Sequence, residues 1–468
     1  MHKKRTSSQP EIFIDLELSG SGPIHAQVER ALREAVRSGR LRHATPLPST
    51  RVLARDLGVS RGVIVEAYEQ LIAEGYLTAR AGSKTFVAAD AMASPDQPQK
   101  ITLSRPKFDF RPGLPDLSYF PREAWGRAMR RALRDLNPAQ LSYNDSQGIE
   151  PLREALCEYL GRVRGVSTLP TRIVICNGFA QALVLISQAL WTRGIRRIAV
   201  EDPCHPDLRR IVSDAGLIPV SVPVDEDGIR VDLIERLRVQ AVLITPAHQF
   251  PTGSVLIPER RQWLIDWATR RSAFIVEDDY DAEYRYDRHP IGPLQGLAPE
   301  RVIYAGSLSK ILAPALRIGW LAVPAEMCAS IVDRKRYADL ASPILEQLTH
   351  AQFLREGELD RHLRKMRIIY RRRRDALIDA LARYLPDWQP VGAAAGLHLI
   401  ANLPADRTEQ EVARLAFARS IRVYPMQDYR FKTSAEPAMV FGYSSLTESR
   451  IDRGIAHLAA ALGYRTII

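Results

Sequence analysis

A series of short apolar runs, separated by stretches of helical periodicity, constrains this chain more than any other feature. RIVICNG (172–178), RRIAVED (196–202), AVLITP (241–246), AFIVEDDY (273–280), RVIYAGS (301–307) and IGWLAV (318–323) are each too short for a helix and too uniformly apolar for a half-exposed strand. Strands buried on both faces read this way. With helices between them they predict βαβ units and a mainly parallel sheet, an α/β architecture. From about Tyr337 the pattern turns helical and then mixes helix with short strands, which predicts a smaller C-terminal subdomain.

At 468 residues the chain exceeds what one compact core supports, and two or three domains are expected. Residues 89–106 are polar, proline-containing and without apolar period, and read as a linker between a domain at 12–88 and one at 107–468. The first residues are basic with no apolar segment behind them, so no secretory signal is expected, and no run of about 18 apolar residues offers a membrane span. Cys157, Cys176, Cys204 and Cys328 are scattered, without zinc spacing, and no metal is expected. A reduced, cytoplasmic setting follows as the expectation. The net charge is +11; residues 1–88 carry 13 Lys/Arg and nine Asp/Glu, or +4, so the first segment is the more basic per residue. That fits contact with a polyanion.

Within 25–42, Val28, Leu32 and Val36 recur at the spacing of an amphipathic helix. The next stretch, PSTRVLARDLGVSRGVIVEAYEQLIAEG, predicts two helices around a break at Gly58, with Ser49 or Thr50 capping the first and Ser60 the second. Leu53, Ala54 and Leu57 face inward from one, and Val63, Ala67, Tyr68 and Leu71 from the other. Ser60, Arg61 and Gly62 are then left projecting from the first turn of the second helix, with Arg51 at the start of the preceding one. GYLTARAGSKTFVA reads as a hairpin with Lys84 near its tip. Three helices and a hairpin also suit a structural cap or a dimerisation module. The stretch LPSTRVLARDLGVSRGVIVEAYEQLIAEGYL resembles the winged helix-turn-helix of GntR-family regulators, which implies that Arg51, Ser60, Arg61, Gly62 and Lys84 contact double-stranded DNA. The chain departs from that pattern at Lys84, where glycine is usual, and at His43-Ala44-Thr45, where Pro-Gly is usual.

The second domain has neither GxGxxG nor GxxxxGK[ST]. It has SLSKILAPALRIG after a strand, and Lys310 is the one lysine between Lys107 and Lys335 in a chain with nine lysines and 56 arginines. An amine can attack a carbonyl where a guanidinium cannot. A lone lysine among apolar neighbours also suits a snorkelling surface residue. Upstream, FIVEDDYDAEY ends a strand in acidic residues. A carboxylate there suits the pyridine nitrogen of pyridoxal phosphate, and equally a cation site or a solvated strand end. Arg317, with Ser307 and Ser309, can hold a phosphate, as can the Gly178–Phe179–Ala180 turn into a helix.

Residues 107–468 resemble a fold-type I aminotransferase domain, through ICNGFAQAL, VEDPCHPDLRR, TPAHQFPTG, VEDDYDAEYRY and SLSKILAPALRIG in that order. Joined to the GntR-like head, the chain is similar to the MocR subfamily of regulators. The resemblance implies Lys310 as the Schiff-base lysine, Asp278 as partner of the pyridine nitrogen, and Tyr280 at the phenolate oxygen. It implies Arg317, Ser307, Ser309 and Gly178–Ala180 around the phosphate, His205 at the ring-stacking position, and a head-to-tail homodimer. The expected function is a pyridoxal-phosphate-dependent regulator that senses an amine, an amino acid or the cofactor itself and occupies the bacterial nucleoid when bound to its operator. The alternative is an aminotransferase with an appended DNA-binding head.

Four departures bear on that choice. His205 stands where tyrosine is frequent, Asp207 where an amino-acid-sensing relative has arginine, Met439 and Val440 where a strand arginine usually clamps carboxylate, and Phe250 where the asparagine of NPxG usually lies, with His248 and Gln249 beside it. Turnover of ordinary α-amino acids is therefore in question. The Arg371–Arg374 run, at helical spacing, reads as a solvated face, with a docking surface as the alternative.

Overall fold

The computed structural model describes residues 22–80, 84–88, 106–286, 291–392, 395–432 and 436–464. The chain divides into two compact units, residues 1–104 and 105–468. Residues 12–21 of the expected head, the wing tip at 81–83 and the expected linker up to Arg105 lie outside the described residues.

In the first unit the expected helices form as α1 (Ile24–Arg37), α2 (Thr50–Leu57) and α3 (Arg61–Ala73), followed by the antiparallel pair β1 (Leu77–Arg80) and β2 (Lys84–Val87). Val28, Leu32, Val36, Leu53, Ala54, Ile64, Ala67, Tyr68 and Leu71 close one core, joined by Leu77 and Val87 from the hairpin. Ser49 caps α2 through its side chain and Gly58 ends that helix at φ +67°. Ser60 occupies the N-cap of α3 but its side chain makes no capping hydrogen bond. Segment 44–47 runs beside β2, with Leu47 N–H donating to Thr85 O and Val87 N–H to Thr45 O. Ala44 there sits at φ +59°, a conformation that costs a residue with a Cβ about 1–2 kcal/mol, which is why glycine is usual at the spot.

The second unit begins with β3 (Phe108–Asp109). Its main sheet uses β4 (Ile173–Cys176), β5 (Arg197–Asp202), β6 (Ile218–Asp225), β7 (Gly228–Ile229), β8 (Ala241–Ile244), β9 (Phe274–Asp278), β10 (Val302–Ser307) and β11 (Gly319–Ala322), in the order β4-β11-β10-β9-β8-β5-β6-β7. Strands β6, β5, β8, β9 and β10 run parallel, register by register, and β11 runs antiparallel to both its neighbours. All six runs singled out in the sequence are strands. IGWLAV alone reverses direction, because only a single 3₁₀ turn (Pro314–Leu316) separates it from β10, too little chain for a parallel crossover. Strand β6 escapes the sequence reading because Pro219 and Pro223 interrupt it; it is tolerated beside the short terminal strand β7.

Alternate residues pack on opposite faces. Ile198 and Val200 join the core under the helices Phe179–Thr192 and Ala325–Asp339, while Ala199 joins that under the helix Pro258–Arg271. A four-stranded sheet follows, ordered β12 (Gln389–Val391), β13 (His398–Asn402), β16 (Ala438–Gly442), β15 (Tyr424–Pro425), and β14 (Ile421–Arg422) pairs in parallel with β3. The unit's first strand is thus stitched to its C-terminal part.

The Arg371–Arg374 run corrects the expectation of a solvated face. It lies on the helix Glu358–Tyr384, whose inner side turns two of the four arginines inward: Arg373 is 2% exposed and Arg374 8%. Arg373 donates to the Asp116 carboxylate at 2.8 Å and to the Ser444 carbonyl, and Arg371 donates to the Tyr286 carbonyl. Removing one partner of a buried pair strands the other, so Arg373→Ala should lower the stability of this unit by about 3–5 kcal/mol in urea unfolding. The exposed neighbour variant, Arg372→Ala, should stay within about 0.5 kcal/mol.

Candidate functional site

Two surfaces gather the residues singled out in the sequence, one on each unit. On the first, Arg51, Ser60, Arg61, Gly62 and Lys84 are all solvent-exposed, while Ile64, Ala67, Tyr68 and Leu71 further along α3 are buried. Arg61 Nε donates to Thr50 Oγ1 at 3.4 Å, which brings the starts of α2 and α3 together. Tyr68, buried on α3, donates its hydroxyl to Pro48 O at 2.9 Å and fixes the approach to α2. The result is a basic edge formed by two helix N-termini, with Lys84 opening the second strand of the hairpin.

On the second unit, the carboxyl ends of the parallel strands face one cavity of about 470 Å³, the position where sheets of this kind present their ligand sites. Lys310, Asp278, Tyr280, Ser307, Ser309, Arg317, His205, Phe179 and Ala180 all line it. Gly178 completes the set from behind: at φ +84°, a Cβ there would meet the Arg317 guanidinium at 2.7 Å, so only glycine admits that side chain. Arg317 donates to Asn177 O at 2.6 Å, and the helix Phe179–Thr192 opens toward it without a side-chain cap, its first N–H groups available to an anion.

Burial lowers the Lys310 amine below its ordinary pKa, against the pull of Asp281 and Asp278. Gly113 presses on that amine so closely that a Cβ would stand 3.1 Å from Nζ. Asp278 is 9% exposed, and burial, reinforced by Asp279, raises its carboxyl well above the usual range. Among the described residues its carboxyl makes no hydrogen bond. Its acidic neighbours are all engaged. Asp279, pointing the other way along the strand, binds Arg164 at 2.8 Å and accepts the Tyr304 hydroxyl at 2.7 Å. Glu277 accepts from the N–H groups of Leu294 and Gln295. Asp281 faces His248 Nδ1 at 3.1 Å from either oxygen, and that nitrogen lies 3.0 Å from Tyr280 Oη.

A pyridoxal phosphate group fits this donor set. A buried carboxyl lacking a partner suits a protonated ring nitrogen, a depressed amine suits an aldehyde, and an arginine beside a free helix N-terminus suits a phosphate. Ser307 and Ser309 present hydroxyls that have no partner among the described residues. His205, whose Nδ1 accepts from Asp207 N–H at 3.3 Å, sits at the mouth against Phe250 and Tyr429.

Known proteins agree with both halves. Residues 24–87 match the family of bacterial regulatory proteins of the gntR type, and residues 114–458 match aminotransferase class I and II. The probable rhizopine catabolism regulatory protein MocR of Rhizobium meliloti is 31% identical, over 95% of either chain. The pyridoxine biosynthesis transcriptional regulator PdxR of Corynebacterium glutamicum is 32% identical over 94% of this chain and 96% of its own. The chain belongs to the MocR-type GntR regulators. It is a transcriptional regulator with a DNA-binding head and an aminotransferase-like unit of fold type I. Among solved structures, LysN, the α-aminoadipate aminotransferase of Thermus thermophilus complexed with N-(5′-phosphopyridoxyl)-L-leucine, superposes with a TM-score of 0.69 at 27% identity, covering 76% of this chain and 92% of its own.

Other lining residues of this MocR-type chain had no signal in the sequence: Arg111, Pro112, Glu201, Thr245, Tyr424 and Tyr429. Tyr424 and Tyr429 come from the C-terminal part, and the latter's segment is tied to the end of β5, where Asp202 accepts from Phe431 and Lys432 N–H at 2.8 Å each. The NPxG departure has a structural counterpart, since Gln249 turns its amide to Glu201 and to the carbonyls of Pro203 and Phe250.

Burial pushes the Glu201 carboxyl from 4.5 up to about 7, against hydrogen bonds from Thr245 and Gln249. The folded state therefore holds the proton more tightly than the unfolded chain, and Glu201's contribution, full below its unfolded pKa, is lost as pH rises through about 7. Glu201→Gln removes that titration. In urea unfolding of the cofactor-free protein, the variant should gain on the wild type between about pH 5 and about pH 8. A difference that ignores pH contradicts the shift.

Proposed function

We propose that this regulator holds pyridoxal phosphate in the second unit and answers an amine, an amino acid or the cofactor's own arrival by changing its grip on an operator. The observation that carries this reading is the pairing of a depressed Lys310 amine with the partnerless, buried Asp278 in one cavity. When bound, the cofactor supplies an aldehyde that condenses with amines and a pyridine ring that withdraws electrons. Lys310 would supply the amine that holds its aldehyde, and Asp278 would hold the proton on the ring nitrogen. Tyr280, backed by His248 and Asp281, would donate to the phenolate oxygen. Arg317, Ser307, Ser309 and the Gly178–Ala180 turn would hold the phosphate, and His205 would lie against the ring.

In the first unit the same reading gives Arg61, Ser60 and Gly62 to the DNA groove, with Arg51 and Lys84 on the phosphates. It also makes the protein cytoplasmic, nucleoid-bound with its operator, and a head-to-tail homodimer whose geometry sets the half-site spacing. A ligand shifts DNA affinity only through its different affinity for the two arrangements, and a coupling of 1–3 kcal/mol corresponds to roughly 5–150-fold. The aminotransferase alternative draws on the same competent Lys310, Asp278 and Tyr280. Met439 and Val440, both fully buried where the carboxylate arginine usually stands, weigh against it. Sustained turnover of an amino donor with a keto acid would favour it.

Measurements on each unit test the reading. Purified protein with added pyridoxal phosphate should show the visible band of a lysine-bound cofactor, and reduction followed by mass spectrometry should place the adduct on Lys310. Lys310→Ala should lose the band and, in the same samples, the ligand dependence of DNA binding; retention of the band disproves the assignment. In the head, Arg51→Ala should weaken binding to all sequences alike and flatten the log K against log salt slope by about 0.9 for a lost phosphate contact. Arg61→Ala should instead relax preference at a particular base pair.

A further inference from the structure

Arg111 is a cation at the cavity with no role in holding the cofactor as read above. It follows β3 on the segment that crosses the cavity, where Phe110 O accepts from Gly442 N–H at 2.8 Å and Gly113, two residues on, presses against the Lys310 amine. The backbone is thus pinned on both sides, and the Arg111 side chain lines the cavity together with Tyr424, Tyr429 and His205. Most arginines around it are spoken for. Arg209 donates to Tyr429 O, and Arg317 donates to Asn177 O. Arg111 has no hydrogen bond or ion pair among the described residues. Asp109, the nearest acid along its own strand, instead accepts the Tyr424 hydroxyl at 2.8 Å. Its charge reaches the interior, since it pushes down both Lys310 and His205.

Met439 and Val440, at the usual strand position for a carboxylate clamp, are apolar and fully buried in the core, so that position supplies the cavity with no cation. Asp207, which also lines the cavity, adds a carboxylate that no arginine pairs among the described residues; its neighbour at 3.7 Å is His205, which burial holds toward its neutral form.

We propose that Arg111 is the carboxylate-binding residue of the effector site, and that the effector is an amine carrying a single carboxylate. This rests on the pyridoxal-phosphate reading above. The amine end reaches the cofactor at Lys310 while the carboxylate takes the two-pronged face of the Arg111 guanidinium, a charge-assisted pair of the strong kind. Asp207 repels a second carboxylate, so dicarboxylic amino acids are disfavoured.

The test uses the full chain loaded with pyridoxal phosphate and compares amino acids with the amines left by removing their carboxylate: L-alanine with ethylamine, L-leucine with 3-methylbutylamine, 5-aminopentanoate with butylamine. The readout is the concentration that shifts the visible band of the lysine-bound cofactor. In the wild type at least one acid should act at about ten- to a hundredfold lower concentration than its amine. Arg111→Gln should abolish that preference, so that each acid and its plain amine act at similar concentrations in the variant, and Arg111→Lys should restore part of it. Asp207→Asn should improve the response to L-glutamate more than that to the monocarboxylates. A preference that survives in Arg111→Gln, or no preference for any acid in the wild type, overturns the inference. In either case an intact visible band in both proteins leaves the cofactor reading standing, and absence of the band in the wild type removes that reading instead.

Discussion

Burial of charge at the carboxyl end of a parallel sheet is what the second unit is organised around. An amine and several carboxyls are held away from water there, and each costs several kcal/mol unless something compensates it. The chain compensates nearly all of them itself. Arg164 and Tyr304 take Asp279, backbone N–H groups take Glu277, His248 takes Asp281, and Thr245 with Gln249 takes Glu201. Asp278 faces the cavity with Lys310 and has no hydrogen-bond partner among the described residues. A site with one unsatisfied acid and one depressed amine is preorganised for a ligand that brings the missing charge and the missing electrophile.

The head solves a different problem with a small core. Three short helices and a hairpin bury one apolar cluster and leave the first turns of α2 and α3 free. Helix N-termini already favour anions, and Arg51 and Arg61 add full charges at the same edge. Where the aminotransferase-like unit excludes water to sharpen its electrostatics, the reader keeps its cations hydrated and exposed, as suits contacts with phosphate that form and break with salt.

Much of the site was legible because its residues sit at strand ends and in turns, where the local pattern announces them. Lys310 stood out by its isolation in an arginine-rich chain, and the FIVEDDYDAEY run by acids closing an apolar strand. What the pattern left undecided was which acid faces the cavity. Asp278 and Asp279 are adjacent and chemically identical, and only the pleat, with Arg164 on one side and Lys310 on the other, separates their roles. The Arg371–Arg374 run departs from a fully solvated face for a related reason. Helical spacing says which residues share a face but not what the face meets, and Asp116, 257 positions from Arg373, is supplied by the fold.

The amino-acid sequence by itself determined the local events: the strands, the caps at Ser49 and the turn at Gly58, the lone amine, and the resemblance that joins a DNA reader to an aminotransferase-like unit. These depend on neighbours within a few residues, and such neighbours are written next to one another. Tertiary structure alone decided the stitching of β3 to β14 and the meeting of Arg111, Tyr424 and Tyr429 with Lys310 around one cavity. Those arrangements join segments hundreds of residues apart, where side-chain charge and shape act through space and no sequence spacing encodes the distance.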